Sequence, residues 1–208
     1  MNDQIQRSRH NLQLETIDVM YLHNPEVQLQ HVSVEVFSDR FSAAFACLEQ
    51  AVTDGRIQYY GVATWAGLRN GTLSIRLLHD IAARVAGPQH HFRFVQLPFN
   101  LGMREARLQN CHEGNNLLQI AHDLGLQVIA SASIMQSRLI ADLPPMLSAA
   151  MPGLVTDAQR AIQYARSTPG ITSALVGMGR IEHVCANLQL ATVPPLAPSV
   201  YAALEAQL

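Results

Sequence analysis

The sequence is poor in charge and in cysteine, and it lacks any long apolar run. Only 14% of its 208 residues are Asp, Glu, Lys or Arg, and the formal net charge is -2. No basic stripe stands out that could hold a nucleic acid or an anionic membrane surface. No apolar stretch approaches the roughly 20 residues that span a bilayer, and Met1 to His10 is polar where a signal peptide needs an apolar segment. A cytoplasmic location is expected by elimination. Cys47, Cys111 and Cys185 are far apart, odd in number and without metal-type spacing. They read as buried free thiols, not as a disulfide framework or a zinc site. What the chain does have is apolar residues, 49% of the total, enough for a sizeable core in a single domain over residues 1–208.

Those apolar residues fall into two alternating patterns. Residues 17–22, 57–62, 92–97, 127–130 and 171–176 are short runs rich in β-branched and aromatic side chains, and read as strands. Between the first two, Phe41, Ala44, Phe45, Leu48 and Val52 recur at helical spacing, with Ser38 or Asp39 placed to cap the start and Gly55 to stop it. Further helical patterns occupy 73–85, 116–124, 157–165 and 181–190. Strands separated by crossover helices make a parallel sheet. Polar groups close nearly every strand: His23, Thr64, Gln96, Ser131 and the 177–180 loop. A ring of this kind suits the mouth of a barrel, whereas an open sheet gathers its ligand contacts at one switch point. The expected fold is therefore α/β, a partial (β/α)8 TIM barrel of about five C-terminal βα units, since a complete barrel takes about 250 residues. Roughly three units would precede Met1. Residues 193–208 read as a tail, helical over 199–207, able to cover a barrel end.

Several of the polar residues suit particular chemistry. His23, in His23-Asn24-Pro25, can polarise a carbonyl or exchange a proton near neutral pH, or it is a hydrogen-bonded strand-end histidine. Gln96 offers a donor and an acceptor for an amide such as a nicotinamide carboxamide, or it satisfies local backbone. Trp65, the only tryptophan, is either a rigid pocket wall or a core plug. In Val176-Gly177-Met178-Gly179-Arg180, glycines permit close approach and the following helix presents amides to an anion. Arg180 would add charge for a 2′-phosphate, and the same loop also reads as a structural turn. His90-His91, with His79, His112 and His122, lack a carboxylate or Cys at ligand spacing, so no metal is expected. Glu15 and Asp18 flank the first strand at the end away from a barrel mouth, where solvated roles are expected.

Taken in order, five blocks make the whole chain resemble the C-terminal portion of an aldo-keto reductase. They are Glu15-Thr16-Ile17-Asp18 through His23-Asn24-Pro25; Gly55-Arg56-Ile57 to Trp65; Val95-Gln96-Leu97-Pro98-Phe99-Asn100-Leu101; Gly125 to Ser133; and Arg166-Ser167-Thr168-Pro169-Gly170 to Asn187. The resemblance implies NADP(H) or NAD(H) as cofactor and a small aldehyde or ketone as substrate. His23 matches the histidine that orients the carbonyl, and Gln96 matches the residue that holds the nicotinamide amide. Gly177, Met178, Arg180, His183 and Asn187 fall on the adenosine-phosphate segment. The chain departs from the family at Ala63-Thr64, where Ser-Asn is common, and at Ser131, where an aromatic ring usually stacks on the nicotinamide. The family's Tyr proton donor and its Lys and Asp partners lie on units before the histidine strand. This chain is therefore expected to be inactive alone. The alternative is a noncatalytic truncated barrel that self-associates through exposed barrel edges or binds a partner.

Overall fold

The computed structural model describes residues 1–110, 112 and 114–208. A helix comes first: α1 (Asn2–Leu12) buries only Ile5 and ends at Gln13 in the left-handed region. Its single apolar anchor leaves no periodicity to read in the sequence. β1 (Ile17–His23) follows, then α2 (Val34–Thr53). The cap of α2 is Ser33, whose Oγ accepts the Val36 N–H, more than a turn ahead of the expected Ser38 or Asp39. Val34 and Val36 are exposed, so the buried stripe begins only at Phe37 and conceals the true start. Next come β2 (Ile57–Ala63), α3 (Ile75–Ala86), β3 (Phe92–Pro98), α4 (Glu105–Leu108), α5 (Leu117–Asp123) and β4 (Gln127–Ser131). Ser74 and Asn116 cap α3 and α5. The chain continues through α6 (Pro145–Ala150), α7 (Asp157–Ser167), β5 (Ser173–Ala174), α8 (Ile181–Leu188) and α9 (Pro198–Glu205). Thr156 and Gln159 close α7 with a reciprocal capping box.

Among the described residues the sheet has five parallel strands in chain order, β1-β2-β3-β4-β5. Each crossover moves the chain one strand along without reversal, as in barrel winding and unlike a doubly wound sheet. The helical crossovers bury one sheet face. Met20, Leu22, Tyr60, Val62, Phe92, Val95, Leu97 and Val128 pack there with the helices. Phe45 of α2 lies at the centre, with ring centroids 4.9 Å from Tyr60 and 5.3 Å from both Phe41 and Phe92. Val19, Tyr21, Tyr59 and Phe94 alternate onto the opposite face, outside that core. Where β2 meets β3, a bulge on β3 opposite Tyr60 and Gly61 places Phe92 on the core face and Phe94 on the open one. β5 is shorter than the six residues anticipated. It bonds to β4 through Thr172 N–H to Val128 O and Leu175 N–H to Ala130 O, while its other edge has no strand among the described residues.

The tail helix α9 packs over α6 and α7. Tyr201 stacks on Tyr164 at 5.4 Å and shares a 2.9 Å hydrogen bond with Thr168, and Glu205 pairs with Arg107 of α4 at 2.8 Å. The expectation of buried thiols does not hold for Cys185, which is exposed on a helix that buries none of its residues, and Cys47 is only half-buried. Cys111 lies outside the described residues.

At the N-terminal end of the sheet, Glu49 of α2 accepts from Tyr60 Oη at 2.8 Å and from the His91 N–H at 2.7 Å, and pairs with His91 Nδ1 at 2.7 Å. Burial pushes the Glu49 carboxyl up, but these bonds outweigh it and hold it below its ordinary value. Beside it His90, 2% exposed, is lowered from 6.5 to about 4 by burial first and by Arg93 next. His79, edge-on to His90 at 4.8 Å, is lowered by burial. As pH falls through 6.5 the unfolded chain takes up protons that folded His90 refuses, so stability declines down to about pH 4 and then levels for this group. Glu49 acts in the same direction, its contribution being lost as pH falls through its lowered folded value. Urea midpoints between pH 7 and 4 should therefore drop, and His90→Gln should remove about 1–3 kcal/mol of that decline. An unchanged slope in the variant would contradict the assignment.

Candidate functional site

The ladder register brings the C-terminal strand ends into one row. His23 is opposite Ala63, Ala63 opposite Gln96, Gln96 opposite Ile129, and Ile129 opposite Ser173. Paired residues in a sheet point to the same side. The row lies on the face away from the helices, because the next row down, Leu22, Val62, Val95 and Val128, is the one packed into the core. His23 and Gln96 thus stand two strands apart, about 10 Å, with only the Ala63 methyl between them. Ser131, opposite Pro98, is one step further out on the same face as Ile129.

The polar side chains in this row are free to act on a ligand. His23 is exposed, Gln96 and Ser131 are half-buried, and none of their side chains hydrogen-bonds within the protein among the described residues. Gln96 is therefore not spent on local backbone. Thr64 is 4% exposed. Its N–H donates to the Gln96 carbonyl at 2.9 Å, while its buried hydroxyl has no partner among the described residues. Trp65 is 44% exposed, which excludes the core-plug alternative. Two residues before His23, Tyr21 lies on the same face, and burial pushes its hydroxyl up to about 12. It remains a hydrogen-bond donor at neutral pH, a feature the sequence reading missed. Glu15 and Asp18 are exposed beside the start of β1, at the opposite end of the strand.

The loops beyond the strands hold one another. Asn24 takes a left-handed conformation, φ 46°, and leads into Pro25-Glu26. The Glu26 carboxylate meets the amides of Trp65, Ala66 and Gly67. Buried Asn100 donates to the Ala132 carbonyl at 2.9 Å and accepts the Gly102 N–H at 2.8 Å, tying the loop after β3 to the one after β4. Ala132, Met135, Gln136 and Ser137 all have positive φ, between 48° and 67°, a conformation costing a non-glycine residue about 1–2 kcal/mol. Strained backbone of this kind gathers at binding sites. Glu26 was not legible locally, nor was the tie from Asn100 to Ala132, because those partners lie far along the chain.

The 177–187 segment divides in two. Met178 and Asn187 line a cleft of ≈ 390 Å³ with Arg166, Ser173 and Val176. Ser173 also closes the strand-end row, so the cleft and the row share this one residue of β5. Gly177, Arg180 and His183 lie on the exposed surface. Arg180 precedes α8 as its N-cap residue, without an acidic partner among the described residues. A Cβ at Gly177 or Gly179 would meet nothing within 4 Å, so no internal contact requires glycine there.

The aldo/keto reductase family model matches residues 1–142. The chain belongs to the aldo/keto reductase family. Solved members of this family have the same fold. An aldo-keto reductase from Klebsiella pneumoniae in complex with NADPH is 19% identical with a TM-score of 0.69, covering 98% of this chain and 62% of that one. The holo form of AKR11C1 from Bacillus halodurans is 17% identical with a TM-score of 0.64, covering 96% of this chain and 64% of its own. A thermostable aldo-keto reductase in complex with epalrestat is 16% identical with a TM-score of 0.65, covering 98% and 64%. The chain thus spans 62–64% of the length of these structures. No match is found among curated protein sequences. Within this aldo/keto reductase chain, residues 166–187 lie beyond the stretch matched by the family model.

Gly61, opposite Tyr21 and two residues before Ala63 of the row, lets β2 approach β3, since a Cβ there would collide with the Phe94 carbonyl. Gly61→Ala should destabilise the chain by about 1–3 kcal/mol in urea unfolding. A midpoint equal to that of the parent chain would show that the sheet is not packed as described.

Proposed function

We propose that this chain carries the nicotinamide and carbonyl sites of an NAD(P)H-dependent reductase of aldehydes or ketones, built on the C-terminal five units of a (β/α)8 barrel. The observation that carries the reading is the strand-end row, in which His23 and Gln96, two polar side chains unpartnered among the described residues, flank a single methyl. The residues present fit a nicotinamide. Gln96 can both donate to and accept from the carboxamide, and the orphaned Thr64 hydroxyl beside it lacks a hydrogen bond that such a group would supply. Bound there, the cofactor supplies hydride chemistry, and the protein supplies position.

His23 would orient the substrate carbonyl through an imidazole N–H, and Trp65 would wall the substrate pocket. Ser131 gives a short polar contact where an aromatic ring usually stacks, which leaves more room over the nicotinamide face. Met178 and Asn187, in the cleft beside β5, and Gly177, Arg180 and His183 around the start of α8 would take the adenosine phosphate. The free guanidinium of Arg180 favours a 2′-phosphate, hence NADP(H). The sequence contains no lysine, all 14 of its Lys and Arg positions being arginine. The family's Lys partner therefore has no counterpart in these residues, and the Tyr and Asp that act with it are assigned none. Turnover by the 208 residues alone is not expected. A cytoplasmic site of action accords with this chemistry.

A second reading is favoured by the open sheet edges. β1 and β5 each pair on one side only among the described residues. Tyr59, Leu175, Met178, Ile181 and Leu188 are exposed apolar groups. Such edges favour self-association, and the chain would then be a noncatalytic pairing module.

A titration of the chain with NADPH, followed by Trp65 fluorescence and accompanied by sedimentation, separates the two. The reductase reading expects saturable quenching of a folded species, affinity weakened about tenfold in Gln96→Ala, and no aldehyde reduction by this chain alone. Absence of binding by a folded oligomer favours the pairing module, and reduction of an aldehyde by the chain overturns the assignment of the missing acid.

A further inference from the structure

The Trp65 ring stands 44% exposed at the end of β2, so it is placed by its backbone more than by burial, and that backbone is gripped on both sides. The Trp65 N–H donates to Glu26 Oε1 at 3.1 Å, and the Ala66 and Gly67 N–H groups converge on the same oxygen at 3.4 and 3.3 Å. The Trp65 carbonyl accepts from Arg69 Nε at 3.0 Å, and Arg69 Nη1 pairs with Glu105 of α4 at 2.8 Å. Glu26 belongs to the connection after β1, and Glu105 opens α4 in the connection after β3. Trp65 is therefore suspended between its two neighbouring loops.

Successive N–H groups converging on one point form a nest for an anion, and a carboxylate accepts such bonds more strongly than a neutral oxygen does. The fit extends to shape. A Cβ at Gly67 would stand 2.8 Å from both Cβ and Cγ of Glu26, so the nest closes on this side chain only because residue 67 is glycine. The second oxygen, Oε2, is buried without a partner, and Glu26 has no salt bridge among the described residues. The charge serves the nest alone. Glu26 also lies three residues after His23, so one short turn links the imidazole at the end of β1 to the indole at the end of β2.

We propose that Glu26 is a positioning residue whose carboxylate, seated in the Trp65–Gly67 amide nest, sets the Trp65 indole relative to His23. Its functional meaning rests on the reading of Trp65 as a pocket wall. Removing the acceptor releases the loop while leaving the sheet intact.

Hydrogen exchange on the full chain tests this without nucleotide, in Glu26→Ala and Glu26→Gln. The Ala variant should exchange its Trp65, Ala66 and Gly67 amides at least about tenfold faster, with red-shifted Trp65 emission and unchanged protection of the β2, β3 and β4 ladder amides. The Gln variant keeps an acceptor but loses the charge, and should fall between Ala and the parent chain. Unchanged exchange at the three amides overturns the proposal. Acceleration spread equally over the ladder, or outright unfolding of the isosteric Gln variant, overturns it as well, since Glu26 would then be a general stabilising residue. An NADPH titration of the parent chain is read separately. Its failure would remove the reductase reading while leaving the loop measurement to stand or fall by itself.

Discussion

The in-register parallel ladder from β1 to β4 is the constraint on which the site depends. It places His23, Ala63, Gln96 and Ile129 abreast, and a one-residue slip would turn each of these side chains into the helix-packed core. Two features hold the register against such a slip. Gly61 admits the close approach of Phe94, and the bulge at Tyr60 and Gly61 absorbs the residue needed to bring Phe92 into the aromatic core while Phe94 stays on the open face. Burial on one face thus determines chemistry on the other.

Much of this arrangement is written locally in the sequence. The first four strands are evident as β-branched and aromatic runs, and the polar residue ending each one marks the mouth of the site. The row itself is not legible, because it depends on pairing between strands and on a bulge that resets alternation. Other features are hidden for definite reasons. α1 carries one buried side chain and so has no apolar stripe. The first turn of α2 is solvent-facing and disguises Ser33 as loop. β5 has the composition of a strand but, among the described residues, a ladder on one side only. Glu26 and the Asn100 amide nitrogen act on backbone groups more than thirty residues away, so no window along the sequence could have joined them to those groups.

The two ends of the sheet are built differently. At the N-terminal end, Glu49 and the histidines around it satisfy one another, and the effect is on stability. At the C-terminal end, His23, Gln96 and the Thr64 hydroxyl are left without partners among the described residues, while the surrounding loops are held by Glu26, Arg69 and Asn100. Rigid loops around unsatisfied polar groups are the arrangement that a binding site requires, because the ligand completes the hydrogen bonding without having to order the protein. The exposed start of α8 fits the same scheme more loosely: a Cβ at Gly177 or Gly179 would meet nothing within 4 Å, and Arg180 has no acidic partner among the described residues.

The central claim is that this row, continued into the cleft beside β5, is a nicotinamide nucleotide site. Chemical-shift mapping of backbone amides on addition of NADPH tests it most directly. The account predicts shifts concentrated at Thr64, Gln96 and Ser131 and again at 177–187, with the Glu49 and His91 end of the sheet undisturbed. Shifts confined to that opposite end, or none in a folded chain, would contradict it.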